Sequence, residues 1–422
     1  MNKKYWFYID SFVHISIKNN DVLFYNPYTG KLLEFPGSEN NGIVLKRTRQ
    51  LLSPRNLRVI RLTAKDLREP ALYRFVRAVR EYFMGDLLDT SFSTSKPFQM
   101  PPRVKIQREV KYLKSDEYRS VGENVMDYLA EITIYLNDAC RQQCQMCSQF
   151  YRQVVCCTSK QPAVHSLDIT SLKKLFNEIK GCNLTDLNIT GGDILTYPYW
   201  SDLESLLNWT NHRKIFYVHY LNIVEHFNRL DRLKGDNQRL KIPVTFPLDE
   251  ETFKKAWESV SRLKIDATFV FIIQDNEEYN RVEELLSRFP LASPVFLPFY
   301  NGKNLDFFEE NFFIDREDIE ENKPSLRDIY INSTVNADNF GKIILLADGS
   351  IYANLHASTL GNLRENSLYD CIFKEMKEGR SWRKIRENVL PCKQCDFEKL
   401  CPPISNYNIA IGKYDLCHIH PG

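Results

Sequence analysis

Between residues 131 and 298 the chain alternates short β-forming runs with longer amphipathic ones, and this alternation restricts the fold more than any other feature. Strand-like runs fall at 131–136, 186–190, 215–220, 242–246, 268–273 and 294–298. Helix-like runs lie between them at 168–180, 199–211, 223–233, 251–263 and 277–289. Six strands at roughly 28-residue spacing predict βα units and a parallel sheet, hence an α/β fold. In such sheets the chemistry gathers at the carboxyl ends of the strands, on the loops that follow.

The first strand ends just before Cys140, Cys144 and Cys147, written Cys-Arg-Gln-Gln-Cys-Gln-Met-Cys. Three thiolates on one loop can hold three irons of a [4Fe-4S] cube and leave the fourth without a protein ligand. An open iron can bind and reduce a substrate or cofactor, whereas a closed four-cysteine site passes electrons or holds structure. After the second strand comes Thr190-Gly191-Gly192-Asp193. Two glycines let backbone approach a ligand closely, and a carboxylate is the natural partner of an ammonium.

With 56 basic and 54 acidic residues in 422, no whole-chain field argues for nucleic acid or membrane as a partner. No apolar run approaches the ~20 residues of a membrane span. The start, MNKKYWFYIDSF, is no secretory signal, so a cytoplasmic location is expected. In a reducing compartment the eleven cysteines read as metal ligands where clustered, not as disulfides. They cluster at 140–147 and 392–417; Cys156, Cys157, Cys182 and Cys371 read as ordinary thiols, with a local redox role open for the 156–157 pair.

Upstream, alternating β runs at 12–17 and 22–25 are followed by a third at 31–34 and by helical patterns at 43–52 and 70–84. Residues 46–80 hold eleven Lys or Arg against Asp66 and Glu69, which suits a nucleic-acid surface, an acidic peptide or a solvated helix face. A proline-marked stretch from 90 to 108 reads as a linker. Downstream, 343–347 and 350–352 form a hairpin through Asp348-Gly349, followed by Leu-Gly-Asn-Leu at 360–363 and a helix. Cys392, Cys395, Cys401 and Cys417 close the chain. By residue type alone they suit structural zinc, with His418 or His420 able to replace one ligand.

The three-cysteine spacing resembles that of the radical S-adenosylmethionine (SAM) enzymes, whose C-x3-C-x2-C follows the first strand of a partial (β/α) barrel. Met146 stands where relatives usually have an aromatic residue. The resemblance implies that Gly191, Gly192 and Asp193 hold the amino group of SAM, with Asp193 in place of the usual Glu. It gives Phe246-Pro247-Leu248-Asp249 and Gln274-Asp275-Asn276 a role beside the adenosine, unless they are simply helix caps. The C-terminal order resembles a SPASM domain. It implies one auxiliary [4Fe-4S] cluster on Cys392, Cys395, Cys401 and Cys417, with zinc as the alternative. A second auxiliary cluster would need cysteines where this chain has Ala353-Asn354 and Ser405.

The whole pattern is similar to radical SAM/SPASM peptide maturases, close to the paired radical-SAM and pseudo-radical-SAM proteins of GG-leader peptide systems. The implied architecture is an N-terminal winged-helix-like, leader-peptide-binding (RRE-like) α+β domain at 1–95, a linker at 96–125, a partial (β/α)6 barrel at 126–305, a connector at 306–340 and a SPASM-like iron–sulfur domain at 341–422. The implied activity is reductive cleavage of SAM and abstraction of a hydrogen by the 5′-deoxyadenosyl radical from a ribosomally made precursor peptide. Implied partners are that precursor with its leader, a second radical SAM protein, and a reductant such as flavodoxin or ferredoxin. Two alternatives stand beside it: a non-catalytic partner that binds the precursor or a catalytic sibling, and an RNA-modifying radical SAM enzyme.

Overall fold

The computed structural model describes residues 3–37, 41–92, 95–100, 125–142, 144, 147, 152–157 and 165–419. Met146, His420 and most of the linker, residues 101–124, lie outside them. Its N-terminal part contains β1 (Lys4–Ile9), β2 (His14–Lys18), β3 (Asp21–Tyr25), β4 (Leu32–Phe35), α1 (Gly42–Leu52), β5 (Val59–Thr63), α2 (Pro70–Glu81) and β6 (Gly85–Asp89). These strands form two antiparallel sheets, ordered β5-β1-β6 and β2-β3-β4. The hairpins and both helices fall where the sequence places them. Strands β1, β5 and β6 were not anticipated: β5 sits inside the basic run, and β6 itself carries Asp86 and Asp89.

In β3 the run Val22 to Tyr25 is continuously apolar because both its faces are covered. Val22 and Phe24 point into the N-terminal core with Phe7, Phe75 and Val79, while Leu23 and Tyr25 point away to Ile319, Phe397, Leu400 and Cys401. Part of the basic run is engaged within the fold. Arg47 pairs with Asp66, Arg77 with Glu81 and Arg80 with Asp86, and Arg58 donates to the carbonyls of Asp10 and Val13.

The central region runs β7 (Glu131–Tyr135), α3 (Ile169–Glu178), β8 (Asp186–Thr190), α4 (Trp200–Asn208), β9 (Arg213–Tyr217), α5 (Tyr220–Glu225), β10 (Gln238–Val244), α6 (Glu250–Leu263), β11 (Ala267–Ile273), α7 (Asn276–Arg288) and β12 (Val295–Pro298). The six strands pair in parallel, in sequence order. The predicted third helix begins three residues early as α5 and continues as 3-10 turns at Phe227–Leu233. The fourth strand starts four residues earlier than predicted, because Gln238 and Arg239 pair with β9 despite their polarity.

Side chains alternate across each strand, so the sheet has two unlike faces. Ile132, Ile134, Leu187, Ile189, Phe216 and Ile242 lie in one core with Leu172, Leu203, Phe253 and Leu285 of the helices. The opposite face carries Glu131, Asp186, Asn188, Tyr217 and Lys241 around a cavity.

Beyond β12 come α8 (Leu305–Asn311), α9 (Arg316–Asn322), α10 (Leu326–Asn332), β13 (Lys342–Leu345), β14 (Ser350–Tyr352), β15 (Gly361–Asn362), α11 (Leu368–Glu378) and α12 (Asn406–Ile411). The predicted hairpin is β13–β14, but it does not stand alone. β13 pairs in parallel with β7, extending the sheet to nine strands in the order β12-β11-β10-β9-β8-β7-β13-β14-β15. This covers the edge of β7 that would otherwise present unpaired backbone groups. No described helix is long and apolar enough to cross a membrane.

Candidate functional site

The cysteine loop leaves the carboxyl end of β7 and is clasped by the turn that follows β8. Asn137 links them: its Oδ1 accepts from Ala139 N (2.8 Å) and its Nδ2 donates to Asp193 O (3.2 Å). Asp193 N donates to Ala139 O at 2.7 Å. Gly191 and Gly192 have φ of +99° and +55°, in the left-handed region that favours glycine. A Cβ on Gly192 would meet Asn137 Oδ1 at 2.6 Å and also Ala139 O. The two glycines therefore bring one loop against the other, and backbone fills the room on their Cβ side. From the far side, Glu225 of α5 accepts from Gln142 Nε2 at 3.0 Å and faces Arg141.

Asp193 is buried, and its carboxylate is already engaged. It lies 2.8 Å from His226 Nε2 and accepts from Leu195 N at 3.1 Å. Burial raises its carboxyl, and His226 opposes that rise.

The thiols of Cys140, Cys144 and Cys147 stand close enough to disfavour one another's ionisation. Burial first, then Cys147 and Cys140, pushes Cys144 up to about 11. Cys140 is raised by burial, with the Asp193 charge adding. Neutral donors surround them. His219 is buried, which lowers it to about 4 and keeps its ring uncharged. Its Nδ1 accepts from Leu221 N, so the proton sits on Nε2, 3.1 Å from Thr245 Oγ1 and 3.7 Å from Cys144 Sγ. Asn222, also buried, turns its Nδ2 to Cys140, where it favours the ionised sulfur and makes no other hydrogen bond among the described residues.

Such a set suits a metal-bound group. Cys140 and Cys144, both raised by burial, give up their protons more readily when a cationic metal takes the charge, and the Asn222 amide is a donor suited to an anionic sulfur. Cys156 and Cys157 are buried nearby; the Cys156 carbonyl accepts from Thr190 Oγ1 at 2.7 Å. The two strand-end sequences given an adenosine-side role act here as helix caps. Asp249 caps α6 through Thr252 N, and Asp275 caps α7 through Glu278 N.

At the other end, Cys392, Cys395, Cys401 and Cys417 all line one cavity of about 240 Å³. Burial pushes Cys395 and Cys401 up to about 12. The buried Arg386 donates to the Cys392 sulfur at 3.4 Å and to the carbonyls of Pro402 and Tyr414. No carboxylate among the described residues pairs with it, so the thiols are its counter-charge once ionised. His418 is elsewhere: its Nε2 is 3.1 Å from Glu309 O and its ring packs on Phe313.

Among the described residues, no three His, Cys, Asp or Glu side chains converge on a point as ligands of a single ion would. The four C-terminal cysteines share the lining of their cavity with nine other residues, Arg386 and Asp415 among them. Asn354 and Ser405 also come near each other. Asn354 Nδ2 donates to Asn406 Oδ1 (2.7 Å) and Asn339 Oδ1 (2.8 Å), and Ser405 caps α12.

Sequence reasoning singled out the cysteines and the glycine turn. It missed His219, Thr245, Asn222, His226 and Arg386. The first two sit just past the ends of β9 and β10, where position alone marks them; nothing local marks the others.

No family model matches the sequence, and no curated protein matches it. Among solved structures it is similar to Streptococcus suis SuiB bound to precursor peptide SuiA, at 11% identity over 99% of this chain and 99% of that one, with a TM-score of 0.41. SuiB bound to S-adenosylmethionine gives 11% identity, 98% and 100% coverage and a TM-score of 0.43. Native anSMEcpe with bound AdoMet gives 14% identity over 64% of this chain and 88% of that one, with a TM-score of 0.44. At TM-scores below 0.5 these likenesses carry no functional inference.

Proposed function

We propose that the chain is a radical SAM enzyme that modifies a ribosomally made precursor peptide. The observation that carries this reading is the placement of three thiols at the carboxyl end of β7, bound by Asn137 to the glycine turn of β8. Cys140, Cys144 and Cys147 would hold the open-iron [4Fe-4S] cluster, and Gly191, Gly192 and Asp193 would lie beside SAM. When bound and reduced by one electron, that pair would supply reductive cleavage of SAM to methionine and a 5′-deoxyadenosyl radical, which abstracts a hydrogen atom. The chain's own part is positional. Asn137 fixes the two loops together, and His219 and Thr245 present neutral donors to Cys144.

In this reading the parallel sheet and its helices are a partial (β/α)6 barrel. Residues 1–95 are a winged-helix-like domain for the leader peptide, and residues 341–422 are a SPASM-like extension. Cys392, Cys395, Cys401 and Cys417 would hold one auxiliary [4Fe-4S] cluster. Structural zinc on the same four thiols is the alternative. A flavodoxin or ferredoxin would act as reductant in the cytoplasm.

A second reading, a non-catalytic partner, is favoured by one observation: the Asp193 carboxylate is committed to His226. Anaerobically reconstituted protein should carry about two clusters, lose one in Cys144→Ala, and release 5′-deoxyadenosine from SAM on reduction. Clusters present without 5′-deoxyadenosine, even with precursor and a catalytic sibling, would establish the partner reading.

A further inference from the structure

The turn after β8 ends on a carboxylate whose two oxygens are both engaged. Asp193 Oδ1 accepts from Leu195 N at 3.1 Å, and Oδ2 lies 2.8 Å from His226 Nε2. The backbone around it is pinned as well. The Asp193 carbonyl accepts from Asn137 Nδ2 at 3.2 Å and from Thr196 Oγ1 at 2.8 Å. The leucine amide belongs to the same turn, whereas the imidazole reaches in from the end of α5.

The same ring nitrogen lies 3.9 Å from Glu225 Oε1, so two carboxylates converge on one imidazole. The nearby guanidinium groups are turned elsewhere: Arg141 stands 3.6 Å from Glu225, and Arg229 donates to Leu195 O. The Asp193 side chain is 6% exposed and that of His226 16%, so the ring covers the carboxylate. A buried carboxylate needs a donor or a cation, and in the free protein His226 supplies it.

We propose that His226 is a built-in competitor for the ammonium of SAM: its ring holds the Asp193 carboxylate in the free protein, and the cofactor binds as the ring leaves. The inference rests on the reading above for SAM as the ligand. An ammonium offers what the imidazole offers, an N–H donor to a buried carboxylate, and it carries a full charge. Where only a fraction of the protein is competent to bind, apparent affinity falls by that fraction. The ring can swing without unravelling an element. His226 is the residue that closes α5, and its backbone stays held by Asn222 O and Arg229 N. The engagement of Asp193 is then a displaceable state of the site and not its loss.

The test is equilibrium binding to full-length reconstituted protein with its cluster oxidised, so that SAM stays intact. 5′-Methylthioadenosine serves as the probe that lacks the ammonium. SAM should bind His226→Leu and His226→Ala roughly tenfold more tightly than wild type, the worth of one charge-assisted hydrogen bond. His226→Gln, which keeps an N–H donor, should gain less. 5′-Methylthioadenosine should bind all four proteins alike. In wild-type protein, carbethoxylation of His226 by diethyl pyrocarbonate, mapped by mass spectrometry, should quicken with SAM and not with 5′-methylthioadenosine.

Equal or weaker SAM binding in both apolar variants would overturn the inference, as would a gain shared by 5′-methylthioadenosine or no SAM binding to any of these proteins. An unchanged carbethoxylation rate would overturn it too, and that readout needs no variant to fold. Release of 5′-deoxyadenosine on reduction, measured on the same samples, reports on the radical SAM reading separately. Its absence alongside tighter SAM binding in His226→Leu would sink that reading and leave the competitor's assignment intact.

Discussion

His219 shows how one buried side chain sets conditions for its neighbours. Taking Leu221 N on Nδ1 forces the proton onto Nε2, and burial keeps the ring neutral, so it can only donate toward Thr245 and the Cys144 sulfur. Hydrogen bonds to cluster sulfurs stabilise the reduced, more negative state. His219→Phe should therefore retain iron but lower the midpoint potential by roughly 40 mV, the worth of one neutral hydrogen bond in a one-electron couple. Redox titration followed by electron paramagnetic resonance measures this. An unchanged potential would mean that the 3.7 Å contact has no electronic consequence.

At the scale of single elements, the helix N-termini are where local sequence and tertiary environment pull apart. α7 begins Asp275-Asn276-Glu277-Glu278, a run of capping and acidic residues that suits a helix dipole. Packing then half-buries Glu278 and raises it to about 7, despite hydrogen bonds from Gln274 N and Nε2. A carboxyl whose folded pKa exceeds its unfolded value favours folding most when protonated. Its contribution is complete below the unfolded value near 4.5 and fades as pH rises through 7. Glu278→Gln should thus gain on the wild type above pH 7, by about 1–3 °C in melting midpoint, and not at pH 4.5. Melting curves at the two pH values decide it; a pH-independent difference would contradict the assignment.

At the scale of the whole molecule, the N-terminal meander is bonded to the C-terminal cysteines. Leu23, Tyr25 and Leu32 pack with Ile319, Phe397, Leu400 and Cys401. Ser16 donates to Asp396 (2.8 Å), Lys18 to Lys393 O and Glu398 (both 2.9 Å), and Asn19 lines the four-thiol cavity. Metal bound by the four thiols would hold the surface on which β3 rests. Cys395→Ala should raise amide hydrogen exchange across residues 14–25 about tenfold or more while leaving β8 to β10 unchanged. Equal exchange in variant and wild type would show that the meander is anchored without the metal site.

How much of this was legible beforehand follows from the range of the forces involved. The strand–helix alternation and the helix caps depend on neighbours a few residues apart, so Asp168, Asp249 and Asp275 announce their helices directly. The cysteine spacing is equally local and fixed the choice of candidate ligands. Pairing across long separations was silent in the sequence. Nothing in Lys342–Leu345 says that it will lie beside β7, and nothing near Asp193 says that His226 will reach its carboxylate. The same holds for Arg386 against Cys392 and for Lys241 over the Tyr217 ring. Periodicity and spacing determined the alternating strands and helices of the central sheet and the candidate ligand residues, though not β1, β5 or β6. Only the tertiary structure decided which charges are satisfied, because burial and counter-ions come from segments that meet solely when the chain is folded.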